Sequence, residues 1–192
     1  MTDFLKVLAV CMIGLALGLL ASAYALQEPR PFGGVRLGPW EVTPGGAAAE
    51  TDVYAQASLE RSGELPLAVG EGLQLIARED EDGRPLDGRC VYRVGPRAPA
   101  ARYWTLSLVS PDGFPVENPA ERYGFRSSEI LRAADGRFAV AVSQAPQAGN
   151  WLPIGKPGPF AMALRLYDSP LAATVGDVDK EAVPKVTRIA CG

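Results

Sequence analysis

Residues 102–109 read Arg-Tyr-Trp-Thr-Leu-Ser-Leu-Val, an alternation of large apolar and mixed side chains. A period of two sends successive side chains to opposite sides of an extended chain, so Trp104, Leu106 and Leu108 share one face. That face is expected to belong to a core, and Trp104 with it. The same pattern recurs outward in both directions. Phe138, Val140 and Val142 align in 137–143, as do Phe160, Met162, Leu164 and Leu166 in 160–167, and strands are also expected over 73–78, 90–94 and 185–191. Asp-Gly pairs begin at positions 82, 87, 112 and 135, beside or between these runs, where glycine accepts the positive φ of a tight turn.

Before residue 73 the pattern changes. Residues 27–50 form a Pro/Gly-rich linker with one short strand around Val35–Val42. A helix is predicted over Asp52–Ser62, capped by Thr51 or Asp52 and stopped by Gly63. The chain thus divides into an apolar segment at 1–26, the linker at 27–50 and one domain at 51–192. The fold class is mainly β: an antiparallel β-sandwich or jelly-roll-like barrel with one early helix, since a parallel α/β sheet would need helices between its strands.

Composition narrows the functions. The chain has 19 basic and 22 acidic residues, and only Asp3 and Lys6 precede residue 26, so the exported part also nets −3 and offers no basic field for nucleic acid. Histidine is absent, which excludes histidine metal sites and histidine-based nucleophile systems. No Gly-rich phosphate loop or Cys-x-x-Cys pair is present, so neither a cofactor nor a metal is expected. The acidic run Glu79–Asp82 lacks the ligand spacing of a calcium loop, because Arg89 stands where its bidentate glutamate belongs; a solvated hairpin tip is the expectation.

Val7 to Ala25 is a run of 19 residues without a charge, which as a helix reaches about 28 Å, close to the hydrocarbon core of a bilayer. A short N-terminal tail favours the N-in orientation, and Tyr24 suits the outer interface. The expectation is a single-pass anchor in the cytoplasmic membrane with the domain in the periplasm. The alternative is cleavage near Ala21-Ser22-Ala23, leaving a soluble periplasmic protein.

Export leaves Cys90 and Cys191 in an oxidising compartment, since Cys11 lies inside the apolar segment. A disulfide between them is expected, against the alternative of two separately buried thiols.

Serines 107, 110, 127, 128 and 143 have no nucleophile context, and no carboxylate pair can be chosen from spacing, so catalytic residues stay unassigned. The candidate ligand-binding set is Arg102, Tyr123, Asn150, Trp151, Arg165 and Tyr167, groups that suit a hydroxylated small molecule through stacking and hydrogen bonds. The competing account is structural: Arg165 and Tyr167 lie on the face opposite Met162 and Leu164 and are simply solvated there.

Several ordered motifs resemble one family. Arg102-Tyr-Trp-Thr-Leu-Ser-Leu108 is followed by Pro111-Asp-Gly113, Asn118-Pro119, Arg122-Tyr123, Asn150-Trp-Leu-Pro153 and Gly158-Pro-Phe-Ala-Met-Ala-Leu-Arg-Leu-Tyr167. Upstream stand Gly38-Pro-Trp40, Tyr54 and Leu86-Asp-Gly-Arg-Cys90. Together they resemble short, membrane-anchored members of the bacterial family of unknown function numbered 1214, over roughly residues 38–191. The resemblance implies an exported or membrane-associated sandwich of jelly-roll type, and it carries no catalytic residue. The functional expectation is an envelope protein acting as a binding or assembly module, its partners the membrane and either another envelope protein or a hydroxylated ligand. The alternative is an enzyme acting on a sugar or lipid-derived substrate through carboxylates and arginines.

Overall fold

A one-sided apolar strand is stable only when a second sheet covers it. In the computed structural model, which describes residues 2–27, 35–42, 72–173 and 182–192, two sheets do this for each other. Helix α1 (Thr2–Gln27) comes first, with the exposed side chains Leu8, Leu15 and Leu19 along it. Ten strands follow among the described residues: β1 (Val35–Leu37), β2 (Trp40–Val42), β3 (Gly72–Ala77), β4 (Cys90–Gly95), β5 (Tyr103–Val109), β6 (Gly124–Arg126), β7 (Val140–Ser143), β8 (Asn150–Pro153), β9 (Ala161–Tyr167) and β10 (Lys185–Cys191). The larger sheet runs β1-β2-β3-β9-β5-β6 and the smaller β10-β4-β7-β8. The helix predicted over Asp52–Ser62 lies outside the described residues.

The expected apolar faces meet in one core. Leu75, Leu164, Leu106 and Trp104 of the large sheet are buried together with Tyr92, Val94, Val140 and Val142 of the small one. Trp104 stacks on Phe138 with ring centroids 5.3 Å apart, and Tyr92 meets Phe160 edge-on at 5.8 Å. The period-two reading therefore identified the inner face correctly.

Four details differ from the sequence expectation, the first being that β6 and β8 form where no strand was expected. Residues 35–42 form two strands, not one, and β2 pairs antiparallel with β3, so this hairpin extends the large sheet. The sandwich is not wholly antiparallel: β7 and β8 run parallel, with Val140 opposite Asn150. Such pairs ordinarily need a long crossover. Strands of only four residues let the short segment 144–149 make the return. Finally, Gly83, Gly113 and Gly136 adopt positive φ, but Gly88 does not. There a Cβ would stand 2.3 Å from the Lys156 carbonyl oxygen, so glycine is required by close backbone approach.

Candidate ligand-binding face

Residues opposed across neighbouring strands share a face, so the register defines the outer surface of the large sheet row by row. One row holds Tyr103 and Tyr167, and the next holds Gln74, Arg165, Thr105 and Arg126. The row after that holds Ile76, Ala163, Ser107 and Gly124. Small side chains here leave the floor low. At Gly124 a Cβ would fall 2.6 Å from the Leu106 carbonyl oxygen, so only glycine lets β6 lie this close to β5.

The loop before β6 lines one side of an open cleft of about 780 Å³, with Thr105, Ser107, Arg122, Tyr123, Arg126 and Arg165 among its lining residues. Asn118 shapes the loop. Its Nδ2 donates to the carbonyls of Val116 and Arg122 at 3.2 and 3.0 Å, and its Oδ1 accepts from the Arg122 amide at 3.1 Å. The Arg122 guanidinium lies 4.9 Å from the centroid of Phe125, over the ring. Arg126 faces Glu129 across 3.8 Å, and the same carboxylate accepts from the Arg126 amide at 3.2 Å. Arg165 is half-buried, and its Nε donates to Gln74 Oε1 at 2.9 Å.

Of the six residues singled out in the sequence, Tyr123 and Arg165 line this cleft. Tyr167 lies one row along the same face, its ring 5.9 Å from Tyr103. Arg102 is exposed just before β5, with Asp168 at 3.9 Å. Asn150 and Trp151 are elsewhere, on β8 of the small sheet. Asn150 is buried and fully engaged: it accepts from the Leu131 amide at 2.8 Å and donates to the carbonyls of Leu131 and Ala139 at 2.8 and 3.0 Å. Trp151 donates its indole N–H to Ser143, to the carbonyl and the hydroxyl oxygen, each at 3.1 Å. Among the residues that spacing did not single out are Arg126, Gln74 and Asn118, beside the lining residues Thr105, Ser107 and Arg122. Arg126 and Gln74 reach the site only through strand pairing; Asn118-Pro119, a loop signal, was the one legible hint.

The acidic run at 79–82 enters a turn whose tip, with Glu81 and Asp82, is exposed as expected, but Asp80 departs from that reading. Asp80 is almost completely buried because Arg84 and Arg188 pair with it, at 3.0 and 2.8 Å from Oδ2. Its Oδ1 accepts the amides of Asp82 and Arg84, each at 3.0 Å. Burial by itself would raise the Asp80 carboxyl, but the hydrogen bonds from Arg84 and the Asp82 amide, with the charge of Arg188, hold it below the ordinary carboxylate range. Nearby, the Arg89 side chain and amide bring Asp87 down to about 2. Both groups therefore secure turns and belong to the framework.

Cys90 and Cys191 form a disulfide, directly opposed on β4 and β10 with their Cα atoms 4.0 Å apart. A structural disulfide belongs to an oxidising compartment.

The sequence profile of a family described as "Protein of unknown function (DUF1214)" matches residues 71–171. Among solved structures, the chain is similar to the VPA0106 protein from Vibrio parahaemolyticus, with a TM-score of 0.58 and 20% identity over 72% of this chain and 35% of that one. This likeness concerns the fold, and the chain spans about a third of the Vibrio protein's length. A weaker similarity, TM-score 0.43 and 16% identity, reaches a putative uncharacterized protein from Burkholderia cenocepacia over 91% of this chain and 50% of that one. No curated protein matches the sequence.

Proposed function

The chain belongs to the DUF1214 family of proteins of unknown function, and we propose that within it this chain is a membrane-anchored envelope protein whose jelly-roll-type sandwich is a binding module for a hydroxylated ligand. Two features support export. Helix α1 is long and apolar enough to cross a bilayer between Asp3 and Tyr24. The disulfide on the far side of that helix suits an oxidising compartment such as the periplasm.

The observation that carries the binding role is the cleft on the outer face of the large sheet. Its arginine forks, the Tyr123 ring and the hydroxyls of Thr105 and Ser107 are suited to hydrogen bonds and stacking, and its volume is in the range that holds a small ligand. In spheroplasts, the domain should be cleaved by added protease and the chain should resist alkaline carbonate extraction; a protected domain would overturn the topology. For the binding role, ligand-observed NMR on the full chain in detergent should detect mono- and disaccharides, with the signal reduced by Tyr123→Ala. Saccharides giving no signal, or a signal indifferent to Tyr123, would overturn the site.

A further inference from the structure

We propose that the ligand of this cleft is acidic, a hydroxylated molecule carrying a carboxylate or a phosphate, and that Arg165 is the group that reads its charge; this rests on the binding-module reading above. A guanidinium drawn partly out of water is ordinarily compensated by a carboxylate. The chain follows that rule at the half-buried Arg78 and Arg188, which lie within ion-pair distance of Glu41 and Asp80. Arg165 does not.

It sits half-buried on β9, inside the large sheet, and its cross-strand neighbours Gln74 and Thr105 are neutral. Beyond Thr105 the next residue in the row is Arg126, a second cation. Among the described residues the polar contact of its side chain is the one from Nε to Gln74. That contact orients the guanidinium plane and leaves the two terminal nitrogens to an outside partner. Their fork matches the paired oxygens of a carboxylate or phosphate.

The surroundings agree in sign. Three arginines, at 122, 126 and 165, line the cleft against Glu121 and Glu129, and Glu129 is already engaged by Arg126. The result is a locally positive concavity on a chain whose net charge is −3. The rest of the ligand would lie over Thr105, Ser107 and Tyr123, which offer hydroxyls and a ring to a polyhydroxylated frame.

Titration calorimetry of the full chain in detergent, with glucuronate, glucose 6-phosphate, glucose and inorganic phosphate as probes, tests this. At least one sugar anion should bind about tenfold or more tightly than glucose, and whichever is tighter tells a carboxylate ligand from a phosphate one. Arg165→Lys should remove about tenfold of that preference and leave the melting temperature unchanged. If Arg165 variants do not fold, Gln74→Ala serves instead, and should weaken the sugar anion while sparing glucose. Equal binding of glucose and the anions would overturn the acidic reading and leave the binding module standing. Inorganic phosphate binding as tightly as the sugar anions would also overturn it, by removing the hydroxylated frame. Sugar-anion binding unaffected by Arg165→Lys and Gln74→Ala would overturn the assignment to Arg165, and silence from every probe would overturn both readings.

Discussion

Arg188 on β10 forms an ion pair with Asp80 in the turn that follows β3, its Nε 2.8 Å from Oδ2. The contact locks that turn against the edge of the small sheet. Glu81 supports it by donating its amide to the Val186 carbonyl at 3.0 Å and accepting the Val186 amide on its Oε1 at 3.2 Å. Arg188 also donates to the carbonyls of Arg84 and Pro85 at 3.3 and 2.5 Å, and its guanidinium stands 5.4 Å from the Tyr92 ring centroid. The turn therefore covers part of the free edge of β10, a common protection against unwanted strand pairing.

Removing the carboxylate from this arrangement leaves Arg188 partly buried without its counter-charge. Asp80→Ala should cost about 3 to 5 kcal/mol, the range for breaking a buried ion pair. Urea unfolding at constant slope measures it. A midpoint within error of the wild type would mean that water replaces the aspartate.

The pH dependence follows from the same groups. Asp80 and Asp87 titrate below their ordinary 3.8 in the folded chain, so the unfolded chain takes up protons first as pH falls. Their stabilisation is complete above about pH 5 and is lost on descending through the folded values, which for Asp87 means towards about 2. Stability measured between pH 5 and 2 should decline over that acid interval and be flat above it as far as these two groups are concerned. Asp80→Asn should make the decline shallower.

Trp104 is buried and stacked on Phe138, so Trp104→Ala should cost about 3 to 5 kcal/mol. Calorimetric melting would show it. An unchanged melting temperature would contradict its place in the core.

Trp40 allows a subtler test. Its indole N–H donates to the Pro184 carbonyl at 2.5 Å inside the core, tying the β1-β2 hairpin to the approach of β10. Trp40→Phe keeps a ring but orphans that buried carbonyl, with an expected cost of at least about 1 to 3 kcal/mol from that group alone. Denaturant unfolding gives the number, and the double variant with Trp104→Ala should be close to additive if the two sites are independent.

The disulfide links positions 101 apart in sequence. In the chain-entropy model, a loop of that size is worth about 4.7 kcal/mol. Cys191→Ser should lower stability by up to that amount. Thiol counting on denatured, unreduced protein should find Cys11 alone reactive, and three thiols should appear after reduction.

The sequence by itself determined where the longer strands lie and which of their sides turn inward, but not the short β6 and β8. Side-chain alternation is a local property of extended backbone, so Trp104, Leu106, Leu108, Phe138 and Val140 could be assigned to a core without knowing what they face. It also determined that α1 can span a bilayer, because length and the absence of charge are additive along the chain. Cysteine count and compartment pointed to the Cys90–Cys191 pair. Which strands become neighbours was decided only in three dimensions, because strand order depends on contacts between distant segments. That is why β8 lies parallel to β7, which carries Asn150 and Trp151 away from Arg165. It is also why Asp80, which reads as one more charge in an acidic turn, is buried: Arg188 reaches it from the far end of the chain, and only that proximity outweighs the cost of desolvating a carboxylate. The cleft has the same origin, since Arg126 and Gln74 join Arg165 in one row through the register of four strands and through no spacing along the sequence.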